Sequence, residues 1–202
     1  VPGEDTSQAR AVGQTSQLLF RPVVQPDASV DNDSIIKAIE EMGNRWVTAG
    51  VMPADQVQKK FDELRKNVEK QKAAQEEQAK KQGNENQELP EIKVPDLKVT
   101  AKAPAKAADS IAANKQRTEQ LKVLKDDRQS KDAAKQLAAS TLMVCSSAPD
   151  PLQGSDDPAL PLVACDAGTN QPYILGEVPL LVGQTDPVHG KRLTGNEIDS
   201  NR

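Results

Sequence analysis

The feature that most limits how this chain can fold is a helical apolar stripe that stops halfway. Val57, Phe61, Leu64 and Val68 recur at the three- and four-residue spacing of one helix face. Beyond Val68 the stripe gives way to Glu, Gln, Lys and Ala. A helix over 54–82 would reach about 43 Å, so its first half can join a core while its second half projects away. Acid-first pairs at i, i+4 support the projecting part: Asp62 with Lys66, Glu76 with Lys80, Glu77 with Lys81. No sustained heptad makes it a coiled coil.

The rest of the chain offers limited material for a core. Aromatic residues make up 2% of it, and Phe20, Trp46, Phe61 and Tyr173 are the aromatic anchors. The expectation is a modest core with a solvated extension. A net charge of −4 argues against general nucleic-acid binding, which needs a concentrated excess of Lys and Arg. Residues 59–81 hold eight basic and five acidic residues, but interleaved signs read as a solvated, salt-bridged helix before a lipid-headgroup contact. No run of 18 apolar residues is present, so membrane or export signals would belong to sequence outside these residues. Val1-Pro2-Gly3 reads as a strand end running into a turn.

Along the chain, Asp5 or Thr6 can cap a short helix to about Gln14, and 17–24 reads as a strand. Pro22 lacks an N–H and marks a sheet edge or the end of pairing. Asp33 or Ser34 caps a helix carrying Ile35, Ile36, Ile39, Met42 and Trp46, with Gly50 as its terminator. Pro53 opens the half-striped helix. Pro90, Pro95 and Pro104 make 83–106 a linker, extended and mobile, with an edge strand at best. A fourth helix is expected over 107–140, pairing with the third as a protruding hairpin; a disordered insertion with nascent helix is the alternative. From Thr141 the texture turns to β. Residues 162–165 and 173–175 flank turn chemistry at Asp166-Ala167-Gly168-Thr169-Asn170, which reads as a hairpin, and an apolar run follows over 178–182. A turn at Leu193-Thr194-Gly195 opens a last helix.

Cys145 and Cys165 each end a short β-prone run, so paired strands would bring them together. A bridge would close a loop of about 20 residues, stabilise the fold by about 3 kcal/mol and imply an oxidising compartment. The alternative is two buried thiols in a cytosolic protein. Zinc needs four ligands, and His189 is the one histidine. It lies in a loop with no nucleophile beside it, and the cysteines suit a bridge better than a His-paired nucleophile. The scattered glycines form no phosphate-cradling loop, and Asp31, Asp33, Asp156 and Asp157 resemble caps and loops more than a calcium loop. The residues therefore imply no enzyme, no cofactor and no metal.

The two ends carry a pattern. Val1-Pro2-Gly3, an acidic turn, a helix with Ala9, Ala11, Val12 and Gly13, and then Thr15-Ser16-Gln17-Leu18-Leu19-Phe20-Arg21-Pro22-Val23 resemble the segment by which SecD proteins pass from the base of their first extracytoplasmic domain into its head. Leu193-Thr194-Gly195-Asn196-Glu197-Ile198 resembles the return to the base. Pro161 to Cys165 and Tyr173-Ile174-Leu175 are similar to the actinobacterial branch. The resemblance covers roughly 1–24 and 160–202, whereas 58–140 matches no motif of the family and reads as an insertion.

The resemblance implies a head region on the outer face of the bacterial plasma membrane, in a membrane-embedded parent that acts with SecF beside the SecYEG channel. Its role would be transient binding of unfolded preprotein during proton-driven export, with the proton-carrying groups elsewhere in the parent. The fold expected is α+β, a small, mainly antiparallel sheet packed against the helix over 34–50. Its parts would be 1–57, a charged insertion over 58–140 containing the linker, and a β-rich 141–202. Leu18, Phe20, Pro22, Val178, Leu180 and Val182 are the candidate preprotein-binding residues, although core packing is the first reading for most of them. The rival function is a cell-envelope interaction module that reaches a fixed partner through the charged hairpin.

Overall fold

The computed structural model describes residues 19–81 and 94–180, in an α+β arrangement of four helices and a two-stranded antiparallel sheet. The expectations at Leu18, Val182, His189, the short helix up to Gln14 and the turn at 193–195 lie outside those residues.

Helix α1 spans Asn32–Ala49. Its cap is Asp31, two residues before the expected one, because Asp31 accepts from both the backbone N–H and the hydroxyl of Ser34, at 2.8 and 2.7 Å. Gly50, at φ 73°, ends it in the left-handed conformation that glycine adopts without steric cost. Its N–H donates to Val47 O, and that of Val51 reaches back to Trp46 O at 2.8 Å. This Schellman closure turns Val51 and Met52 in beside Trp46. Helix α2, Ala54–Lys81, follows Pro53 and buries Val57 and Phe61 against α1. The two helices approach so closely at Gly43 that a Cβ there would lie 2.7 Å from the Phe61 ring and 2.8 Å from Val57. Beyond Val68 the helix is exposed wherever its side chains are described.

Residues 94–101 form no strand, yet they are not a free linker. Leu97 is buried in the core, and side chains supply the partners that a neighbouring strand would otherwise provide. Asn44 Oδ1 accepts from the N–H groups of Thr100 and Ala101, at 2.8 and 2.9 Å, and Gln58 Oε1 accepts from that of Val99 at 3.0 Å. The prolines keep the segment out of a strand, as expected, but these bonds fasten it where a mobile linker is expected.

The single helix expected over 107–140 is two. Helix α3, Ser110–Arg128, and helix α4, Ala133–Leu142, are capped by Asp109 and Asp132. They are separated by a break over 129–132. Neither expected partner forms: α2 and α3 do not pack together as a hairpin, and α4 lies instead against α1. Ala138, Ala139 and Leu142, with Leu97 and Leu124, share one core with Ile39, Met42, Trp46, Val57 and Phe61. Residues 97–142 thus build the core, so the expected charged insertion is not confirmed.

Strand β1, Leu162–Cys165, pairs antiparallel with β2, Pro172–Leu175, with Val163 opposite Ile174. The connecting turn is held by Asp166, whose carboxylate accepts from the Gly168 N–H and whose carbonyl accepts from that of Asn170. The sheet packs on α4 and the end of α3, not on α1 as expected. Residues 22–24 line the other side of β2: Val24 N–H donates to Ile174 O, and Gly176 N–H to Pro22 O, at 2.9 and 2.8 Å. Pro22 contributes its carbonyl only, as its missing N–H requires.

Candidate functional site

The end of α3 brings three consecutive buried polar residues into the interior: Asp127, Arg128 and Gln129. Burial of charge is costly unless every group finds a partner, so these side chains dictate what lies around them. Asp127 Oδ2 accepts the indole N–H of Trp46 at 2.7 Å, and Oδ1 pairs with Arg45, the residue before Trp46 on α1. The Arg128 guanidinium forks onto both carboxylate oxygens of Asp150 and donates from Nε to Val163 O at 2.8 Å. Gln129 bridges to the loop before β1, donating to Asp157 O and accepting from the Asp157 N–H, both at 2.9 Å. One turn of chain therefore positions α1, the 143–151 loop, the 156–161 loop and β1. The Arg128 bond also occupies the Val163 carbonyl of β1.

Two opposing influences act on Asp150. Burial pushes its carboxyl up, while the Arg128 hydrogen bond and charge, with the Leu152 N–H, outweigh it and hold the carboxyl below the ordinary range. The ion pair is consequently intact at neutral pH.

The 143–151 loop is fastened twice, by Asp150 and by the Cys145–Cys165 disulfide, whose Cα atoms are 5.5 Å apart. Cys165 sits at the end of β1, but Cys145 is not on a paired strand. Thr141 and Leu142 complete α4, with Leu142 fully buried, and irregular chain follows. Between this loop, the α1–α2 turn and α3 lies a cavity of about 300 Å³, open on one side. Its walls are mostly apolar, including Trp46, Met52, Leu124, Met143 and Val144, with Arg128 and Asp150 as its neutralised polar end. A second hollow along α3, of about 390 Å³, shares Val51, Leu124 and Pro151 with the first, so the two adjoin along α3.

Of the residues singled out from sequence for preprotein binding, the described ones do not line these hollows. Pro22 is exposed, Phe20 and Leu180 are half-buried, and Val178 is fully buried, its N–H donating to Pro158 O. Val178 belongs to the interior because this bond and its apolar side chain both face inward from the sheet's end, so it offers no surface. Sequence reasoning missed the polar trio. The legible signal was Trp46: an indole on an apolar stripe carries an N–H that needs an acceptor, and Asp127 on a thinly apolar helix supplies it.

Elsewhere, Arg21 ties the segment before β2's neighbour to the far loop. Its guanidinium donates to Leu160 O, Gly176 O, Asp157 O and Asp156 Oδ2, at 2.6 to 2.9 Å. Among the described residues no cluster of three or more His, Cys, Asp and Glu could hold a metal, and no helix is long and apolar enough to cross a membrane. No family model matches the chain, and no curated protein or solved structure is significantly similar to it.

Proposed function

We propose that the chain is a head lobe of a SecD-like accessory subunit, lying on the outer face of the bacterial plasma membrane and transiently holding preprotein as it emerges from the Sec channel. The observation that carries this reading is the stem formed by 22–24 and 174–176. There the two stretches that resemble SecD run antiparallel, hydrogen-bonded and joined by Arg21. A lobe hung on a base needs its two connecting stretches side by side. The disulfide supports the compartment, since such bonds persist on the oxidising side of the membrane. SecF and SecYEG would be partners through the parent protein, and the lobe itself would carry no catalytic group.

Low-specificity capture of an extended chain draws on backbone groups at a sheet edge and on shallow apolar surface. One such edge is 22–24, beside β2, where Val23 is 60% exposed. The test is equilibrium binding of a reduced, carboxymethylated polypeptide compared with the same polypeptide folded. Binding of the unfolded form alone is expected; equal binding, or none, contradicts the reading.

The rival reading, an envelope module acting through a charged arm, is favoured by the exposed second half of α2. Deleting 58–138 cannot separate the two, because Phe61, Leu97 and Leu124 are core. Neutralising Glu76, Glu77 and Lys81 together can. Loss of partner binding with unchanged polypeptide binding would favour the arm.

A further inference from the structure

The groove along α3 has a shape and charge that the proposed stem edge does not. At one end Met52, Met143 and Val144 line the first hollow, with the buried Trp46 behind them. Two of the chain's three methionines meet there, and flexible thioether side chains fit varied apolar groups, aromatic rings especially. At the other end the groove is bordered by Gln116, Gln120 and Arg117. Arg117 is exposed and has no ion-pair partner among the described residues, whereas the acid of the groove, Asp150, is already neutralised by Arg128. A peptide therefore meets an apolar socket and one unmatched positive charge. Along α3 the distance from Ala113 to Leu124 is about 16 Å. An extended chain at about 3.3 Å per residue covers that in about five residues.

We infer that this groove is the site that selects among polypeptide clients: it takes an extended segment of about five residues, with a large apolar or aromatic side chain in the Trp46–Met143 socket and an acidic residue at Arg117. The inference rests on the polypeptide-binding reading above and gives it a location and a sequence preference. Peptide basic at that end is disfavoured by like charge, and peptide lacking the apolar anchor loses the area buried in the socket. Trp46, the chain's one tryptophan, borders the socket from within the core, so its emission reports occupancy.

The experiment uses two ten-residue unstructured peptides, each with one Phe, one carrying two Asp and the other two Lys four residues away. Fluorescein-labelled peptides are followed by anisotropy, and unlabelled ones by Trp46 emission. The acidic peptide should bind about tenfold more tightly than the basic one. Arg117→Glu, at an exposed position checked by circular dichroism, should reverse that order. Replacing Phe by Ser should weaken binding at least tenfold, and seating should shift Trp46 emission. Peptide binding that ignores R117E and leaves Trp46 emission unchanged overturns the groove while leaving polypeptide binding elsewhere intact. No binding of either peptide, alongside binding of the carboxymethylated polypeptide, does the same. A concentration-dependent dimer that excludes peptide assigns the groove to a second copy and overturns it too. Failure of the carboxymethylated polypeptide to bind removes the underlying reading as well.

Discussion

Trp46 and Asp127, 81 positions apart in sequence, meet through an indole N–H to carboxylate hydrogen bond of 2.7 Å with both side chains shut off from solvent. The bond joins the best-defined amphipathic helix to the last turn of α3, and Arg45 supplies the charge that makes a buried carboxylate tolerable there. Asp127→Ala leaves the indole without an acceptor and Arg45 without its partner, and should cost about 2 kcal/mol. Asp127→Asn keeps an acceptor for the indole and should cost less. Urea unfolding followed by Trp46 fluorescence measures both.

Gly43 sits where α1 and α2 touch. Gly43→Ala drives a methyl group against the Phe61 ring and Val57, and should destabilise by about 1–3 kcal/mol through overpacking. Gly154→Ala is the contrasting variant, since at φ 73° it meets open space and should cost only the strain of a left-handed alanine, about 1–2 kcal/mol. Adding Phe61→Leu to each separates them: it should recover part of the loss at Gly43 and none at Gly154.

Reduction of the disulfide should lower stability by about 3 kcal/mol, the chain entropy of a loop of about 20 residues. Cys145→Ser with Cys165→Ser should match the reduced protein. Denaturant midpoints with and without reductant give the comparison.

Asp150 is held below its ordinary pKa in the folded protein, so its ion pair contributes stability above the unfolded carboxylate value of about 4. That contribution is lost as pH falls through the lower, folded value. Asp27, Asp31 and Asp96 are also lowered and act in the same direction. The share of Asp150 is isolated by comparing the native chain with Asp150→Asn from pH 6 to pH 2. Their difference in urea midpoint should shrink on the acid side.

How much was legible depended on whether a local signal existed. Gly50, the Ile39–Met42–Trp46 face and the turn at 166–170 are short-range chemistry, and the elements they announce are present. The break at 129–132 has no glycine or proline to mark it. Its local mark is Asp132, whose side chain accepts from the Lys135 N–H and starts α4 afresh. The run at 141–145 looked like a strand from its β-prone side chains, yet Leu142 is buried more fully as the end of α4. At 94–101 the prolines announce the absence of a strand but not the anchoring, since Asn44 and Gln58 provide ladder partners from helices. The polar trio and the groove depend on contacts across the chain, and the proposed stem surface lost Val178 for the same reason.

The account rests on this lobe meeting polypeptide on the outer side of the membrane. The most direct measurement places a photocrosslinking amino acid at Val23 in the parent protein and irradiates cells in which a secretory polypeptide is arrested in the Sec channel. The account predicts an adduct with the arrested chain that disappears once the chain is released. Adducts formed only with cytosolic proteins, or none with the arrested chain from Val23 or from Val144 in the groove, would contradict it.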